Sequence, residues 1–238
     1  MTDGQTVEPR AGLRERKKQR TRDALLRAAL ELFTTQGYER TTVDEIVDAV
    51  EVSQRTFFRY FASKEDTTFA VQEMVESRFI EELRRRPADE APFEAMRRAV
   101  LCAWNSIGEA IEEVVTVDLH MRTYQMIEST PSLLAAHMRR GIALENQIAL
   151  LIAEREGLDV ERDPRPRVAV AAFSGVMRVT GQLWGQGLDP SVEALRDLTE
   201  EYLDQLVPAL ARDWRRESPD SGQGSEGSRR DSPDSRQQ

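Results

Sequence analysis

Apolar residues recur along this chain at three- and four-residue spacing almost from end to end, and the strict alternation of a half-buried strand is nearly absent. The pattern predicts an all-helical protein. The first helix spans residues 21–36, with Leu25, Ala29, Leu32 and Phe33 on one stripe and Gly37 as its C-terminal stop. Thr42 and Glu45 have capping-box spacing, in which the hydroxyl accepts from a backbone N–H while the carboxylate reaches back. That box opens a short helix over 43–49 that turns Val43, Ile46 and Val47 inward. Ser53 caps a second short helix over 54–61, and Ser63 with Asp66 opens a long one toward Arg86, closed off by Pro87 and Pro92. Longer helices follow over 93–115, 118–128, 132–156, 165–187 and 192–215. The breaks fall at Pro131, at 157–166 and at Asp189-Pro190. No internal repeat is present.

The segment 42–61 has the layout of a helix-turn-helix: two helices of under ten residues joined by a turn at Val50, Glu51 and Val52. Phe57 and Phe61, four apart, face inward with Val52. The other side presents Gln54, Arg55, Thr56, Phe58, Arg59 and Tyr60. Arg can bond guanine bidentately and Gln adenine, so such a surface suits a major groove. On spacing alone, an ordinary helical hairpin with a solvated charged face stays open beside the DNA reading.

Charge sharpens the picture. The net charge of −9 is unevenly divided. Residues 1–64 carry 12 Lys and Arg against 10 Asp and Glu, and the remaining 174 carry 21 against 32. Between Arg10 and Arg22 there are seven basic residues and one acid, Glu15. A basic head on an acidic body leaves only the head to approach phosphates. The run Arg14, Arg16, Lys17, Lys18, Arg20 and Arg22 is expected to be an arm that neutralises phosphates or enters a minor groove, with a solvated tail as the alternative. The expected division is a basic disordered arm at 1–19, a DNA-binding unit at 20–66, a helical ligand-binding and dimerisation domain at 67–215, and a disordered tail at 216–238.

Several classes lose ground. The longest uncharged central run, residues 168–177, is too short to span a bilayer, and the first 22 residues have no apolar stretch resembling a secretory signal. With one cysteine, Cys102, a disulfide framework is excluded and a cytoplasmic setting is expected. An enzyme is disfavoured. His120 and His137 are the only histidines, no zinc spacing emerges, and Ser174 lacks the glycine two residues earlier that a nucleophile elbow needs. No cofactor is expected. His120 reads as a helix-packing histidine with its polar atoms satisfied. A helical scaffold without specific DNA binding remains the alternative from another class.

The order and spacing of ALELFTTQGY, TTVDEIVDAV, VSQRTFFRYF and SKED resemble the N-terminal domain of the TetR family of regulators over residues 20–70. The resemblance implies a sequence-specific transcriptional regulator, a ligand-released repressor acting as a homodimer on a double-stranded operator. It also implies a three-helix head and a larger C-terminal helical domain. Carried over, Thr42 holds a phosphate at a helix N-terminus. Gln54 and Arg55, between Ser53 and Thr56, read base edges, while Tyr60 and Lys64 grip phosphates. Three positions depart from the family pattern: Glu51 replaces the usual turn glycine, Phe58 the usual tyrosine, and Arg59 a common aromatic.

For the dimer, the expected interface is Val168, Ala172, Gly175, Val176, Val179 and Leu183 with Leu195, Leu198, Tyr202, Leu206 and Leu210; burial in the monomer core is the alternative. Trp104, Ile107, Met121, Tyr124, Phe173, Met177 and Trp184, with Ile111, Leu119 and Met126, are candidates to line an effector cavity, although such a stripe also builds plain core. The stretch MRTYQMIESTPSLLAAHMRR resembles the ligand domain of mycofactocin-linked and acyl-CoA-responsive TetR members. It implies a small apolar effector of acyl-thioester type, with Arg122, Arg139, Arg140 or Arg178 facing an anionic head.

Overall fold

In the computed structural model, which describes residues 10–211, the chain folds into nine helices, and no strand occurs among these residues. The expected tail at 216–238 and the first nine residues of the expected arm lie outside the described residues. No helix among those described is long and apolar enough to cross a membrane.

The first helix, α1 (Arg10–Gln36), begins eleven residues earlier than the hydrophobic pattern predicts. Residues 10–19 are helical, which corrects the expectation of a disordered arm. The physical reason is propensity: Leu, Arg, Glu, Lys and Gln all favour helix, and no proline interrupts them. Local pairs add to this, with Glu15–Lys18 at 3.1 Å and the Gln19 amide donating to Asp23 at 2.8 Å. Residues 12–20 are exposed, so these turns project from the body rather than pack on it.

The head is α1, α2 (Val43–Ala49) and α3 (Gln54–Phe58). Leu25, Leu26, Leu30, Phe33, Ile46 and Phe57 are fully buried in it. At the N-terminus of α2 both halves of the capping box form: Glu45 N–H donates to Thr42 Oγ1 at 3.2 Å, and Thr42 N–H donates to Glu45 Oε2 at 2.8 Å. Its C-terminus closes as a Schellman motif, with Val52 N–H on the Val47 carbonyl (3.0 Å) and Glu51 N–H on that of Asp48 (3.2 Å). Glu51 takes the left-handed position, φ +56°, and is the one non-glycine with positive φ among the described residues. Helix α3 is three residues shorter than expected. Tyr60 N–H donates to Phe57 O at 2.8 Å, a tightened last turn that swings Phe61 back into the core before Ser63 caps the next helix.

The body comprises α4 (Lys64–Arg85), α5 (Pro92–Val114), α6 (Val117–Ser129), α7 (Pro131–Glu156), α8 (Arg165–Gln186) and α9 (Val192–Ala211). Helix α4 packs along α5, α8 along α9 and α7, while α1 rests on α4 and α6. Arg27 of α1 donates to the Val114 carbonyl at the C-terminus of α5 (3.0 Å), where a cation suits the helix dipole. Arg155 ties the α4–α5 loop by donating to the carbonyls of Arg86 (3.1 Å) and Glu90 (2.7 Å).

Candidate nucleic-acid interface and central cavity

Helix α3 is held from behind by rings. Phe57 is fully buried and Phe61 nearly so; their centroids lie 5.6 Å apart, and the Arg22 guanidinium sits over Phe61 at 5.3 Å. With that side fixed, Ser53, Gln54, Arg55, Phe58 and Arg59 are exposed, and Thr56 and Tyr60 partly so. The side chains differ in how free they are. Arg55 makes no hydrogen bond or ion pair among the described residues, so its five donors are available. Gln54 donates its amide to Asp44 on α2. The Thr56 hydroxyl lies 3.1 Å from Ser53 Oγ, which also caps α3 by accepting from Thr56 N–H. Arg59 lies over the Tyr60 ring at 4.8 Å and donates to its hydroxyl at 3.1 Å, so these two act as one unit. Phe58 offers only an exposed ring.

Two expected phosphate contacts are differently placed. The Lys64 ammonium donates to the carbonyls of Tyr38 (2.8 Å) and Thr41 (2.9 Å) and stands 4.2 Å from the Tyr38 ring centroid. It braces the α1–α2 loop and keeps one donor. Thr42 sits at the exposed start of α2, but the Glu45 carboxylate already covers that terminus and is held below its usual range by its bonds to Thr42. Lys17 and Lys18 lie on the projecting part of α1, Lys18 paired with Glu15. A helix with side chains is about 10–12 Å across, and a B-form minor groove is about 6 Å wide. As a helix, this segment suits phosphates and not the minor groove floor.

The body holds an open-sided cavity of about 340 Å³ lined by α4, α5, α6, α7, α8 and, through Leu195, α9. Five of the expected residues form its wall: Trp104, Tyr124, Phe173, Met177 and Trp184. Met121, Ile111, Leu119 and Met126 are buried in the core without reaching it, because their faces of α5 and α6 turn toward other helices. The side chain of Ile107 lies outside the described residues. Of the arginines named for an anionic head, Arg178 lines the cavity. Arg140 is engaged by Glu73 and Asp66 and lies over Phe69, and Arg122 pairs with Asp118 at 2.9 Å.

Sequence reasoning missed the contribution of α4, whose Gln72, Val75, Glu76 and Phe79 line the cavity at helical spacing. The signal was an acid embedded in an otherwise inward stripe. Glu76 makes no hydrogen bond or ion pair among the described residues; burial first, and the like charge of Glu73, push its carboxyl up to about 7 against the pull of Arg140. His120 is also different from expectation. It is buried against Trp184 with centroids 5.2 Å apart, burial pushes it down to about 4, and its Nδ1 has no partner among the described residues. Trp104 Nε1 is likewise buried without a partner among the described residues, whereas Trp184 Nε1 donates to Ser191 O at 3.0 Å.

On α8, Val168, Val179 and Leu183 are exposed, as is Val207 on α9, and no atom crowds Gly175. Leu195, expected at the interface, is buried and lines the cavity, since its side of α9 faces α5 and α8. The side chain of Leu210 lies outside the described residues.

The sequence profile of bacterial regulatory proteins of the tetR family matches residues 25–71, and that of the MftR C-terminal domain matches residues 90–211. The HTH-type transcriptional regulator TcmR of Streptomyces glaucescens is 46% identical over 205 residues, covering 86% of this chain and 91% of TcmR. MftR of Mycobacterium tuberculosis, a regulator named for mycofactocin biosynthesis, is 29% identical over 202 residues, covering 80% and 95%. Among solved structures, NalD of Pseudomonas aeruginosa, the secondary repressor of an efflux pump, superposes with a TM-score of 0.52 at 22% identity, covering 84% of this chain and all of NalD.

Proposed function

This chain belongs to the tetR family of bacterial regulatory proteins and is a DNA-binding transcriptional regulator, and on that premise we propose that it is a homodimeric repressor released from its operator by a small, largely apolar effector. The observation that carries the reading is α3: two buried phenylalanines fix one side while Arg55 stands free on the other. In a major groove Arg55 bonds a guanine edge. Gln54 reads an adenine once it leaves Asp44, and Thr56 lies beside them. The Arg59–Tyr60 unit, the remaining Lys64 donor, Thr42, Ser53 and the basic turns of α1 with Lys17 and Lys18 contact the backbone and fix register.

One five-residue helix reads few base pairs, so two heads about one helical turn apart are needed, and the uncovered apolar stripe of α8 and α9 is where a second copy docks. Effector release follows from the layout of α4. The helix starts beside the head, capped by Ser63 and packed on α1, and forms the cavity wall from Gln72 to Phe79. A ligand that prefers a displaced α4 changes the spacing of the two α3 helices and weakens DNA binding by its differential affinity. Gel shifts on the gene's own upstream region test the reading. Arg55→Ala is expected to lose about 1–3 kcal/mol of specific affinity with an unchanged helical circular-dichroism spectrum. A wild-type protein with no salt-sensitive, sequence-specific DNA affinity would overturn it in favour of a helical scaffold.

A further inference from the structure

One side-chain bond joins α2 to the exposed side of α3. Gln54, the first residue of α3, donates its amide to Asp44 in the first turn of α2. Both residues are exposed, and the Asp44 side chain has no other hydrogen bond and no ion pair among the described residues. A carboxylate only accepts, so chemistry decides which end of the amide faces it: the nitrogen is held and the oxygen is left over. The Val52–Val47 closure of the turn and the burial of Phe57 fix the two helices against each other, so the bond spans a rigid corner. Glu45, the neighbouring acid, is committed to the cap of α2 and takes no part.

From this bond we infer that Asp44 and Gln54 act as one reading unit, which accepts from the amino group of an adenine or a cytosine and rejects the carbonyl of a guanine or a thymine. The inference rests on the reading of α3 as the helix that enters the major groove, and it makes Asp44 a specificity-determining residue. In that groove adenine N6 and cytosine N4 are donors, whereas guanine O6 and thymine O4 are acceptors. A free glutamine singles out adenine by a two-bond match, its oxygen to N6 and its nitrogen to N7. With the nitrogen anchored on α2, the oxygen reads alone, and cytosine is accepted as well. The carboxylate beside it adds a second acceptor suited to cytosine N4. Opposite a carbonyl, both partners would be left unpaired, which costs more than one absent bond. Only a Gln54 released from Asp44 narrows to adenine. Arg55, next in the chain and without a partner, has donors alone and takes the opposite class, guanine. The two neighbours thus divide the bases by amino group and carbonyl.

The test measures base preference with the full chain. Selection from a random pool of duplexes defines the operator, and competition gel shifts then compare all four bases at each position of a half-site. The position read by Gln54 is the one at which Gln54→Ala flattens the preference. There the wild type is expected to bind adenine and cytosine on one strand within about threefold of each other, and guanine and thymine about tenfold more weakly. Asp44→Ala is expected to raise the adenine-to-cytosine ratio about fivefold at that position and to leave the preference at the Arg55 position as it was. If Asp44→Ala does not fold, Asp44→Ser, one bond shorter and uncharged, replaces it with the same expectation. A change of base confined to one position is not something that general destabilisation produces. A ratio that does not move in the variant overturns the inference, as does a wild type that already singles out adenine or that prefers guanine or thymine there. Gln54→Ala that flattens no position also overturns it, while lost discrimination in Arg55→Ala would keep α3 as the reading helix. A wild type without any sequence-dependent binding ends both.

Discussion

At the scale of single residues, two positions hold unfavourable states whose removal can be measured. Glu51 occupies the left-handed C′ position of the α2 Schellman motif, where a side chain costs about 1–2 kcal/mol and glycine is free of that penalty. Glycine gives some of this back through the greater freedom of the unfolded chain. Glu51→Gly is therefore expected to stabilise the protein by about 1 kcal/mol in urea denaturation. Glu51 is also an acid in the turn that leads into α3. Glu51→Gln removes the charge and keeps the strain, so it should tighten DNA in low-salt gel shifts without a gain in stability. Equal stability of the two variants would show that backbone strain is not stored there. Glu76 is the second case. Its carboxyl titrates near 7 in the folded protein, against 4.5 for the free side chain. Between those values the native state keeps a proton that the unfolded chain has released, so stability falls as pH rises through that window. Glu76→Gln is expected to add about 2–3 kcal/mol at pH 8 and almost nothing at pH 4. A difference independent of pH would mean that ionisation of Glu76 is not its source.

At the scale of elements, the projecting turns of α1 carry the next prediction. Residues 1–18 contain five basic side chains, and each phosphate left without its cation should reduce the slope of log affinity against log salt by about 0.9. Truncating these residues is expected to flatten the slope while sparing discrimination between operator and random DNA, because bonds to the DNA backbone carry no sequence information. An unchanged slope would mean that the segment is solvated when DNA is bound. The same helix shows what is legible in the sequence. Helices with a chemical stop or start, such as α2 between its Thr42–Glu45 box and Glu51, or α7 between Pro131 and Gly157, lie within a residue or so of where those signals put them. The start of α1 has no apolar stripe, its residues 12–20 being exposed, so periodicity is blind to it. The inward turn of Phe57 and Phe61 is legible because a four-residue spacing leaves one geometry for a short helix. The cavity is half legible. Spacing shows that Trp104, Met121 and Tyr124 sit on amphipathic helices, but which neighbour each faces depends on how six helices cross. That crossing puts Met121 in the core and brings in Glu76 and Phe79 from α4, a helix in which sequence reasoning names no cavity residue.

At the scale of the whole molecule, the head meets DNA with few residues, and the acidic body contributes repulsion, so affinity has to come from two heads acting together. Joining two weak sites on one rigid object raises affinity by about 100-fold or more without any new interaction, provided both sites engage at once. The exposed stripe of Val168, Val179 and Leu183 on α8 and Val207 on α9 is apolar surface whose removal from water is favourable. Gly175 in its middle leaves room for a second backbone to come close. Leu183→Asp places a charge that would be desolvated if a second copy docks there, while in the isolated protomer the site is exposed and the fold should tolerate it. Analytical ultracentrifugation is expected to find a dimer for the wild type and a monomer for this variant. Operator affinity should fall on the order of 100-fold although α3 is untouched. Arg55→Ala should behave in the opposite way, remaining dimeric and losing about 1–3 kcal/mol of discrimination at the base pair it reads. A Leu183→Asp protein that remains dimeric with full operator affinity would place the two-fold axis elsewhere. The cavity wall formed by α4 would then have to act on head spacing through a different surface from the one that α8 and α9 leave open.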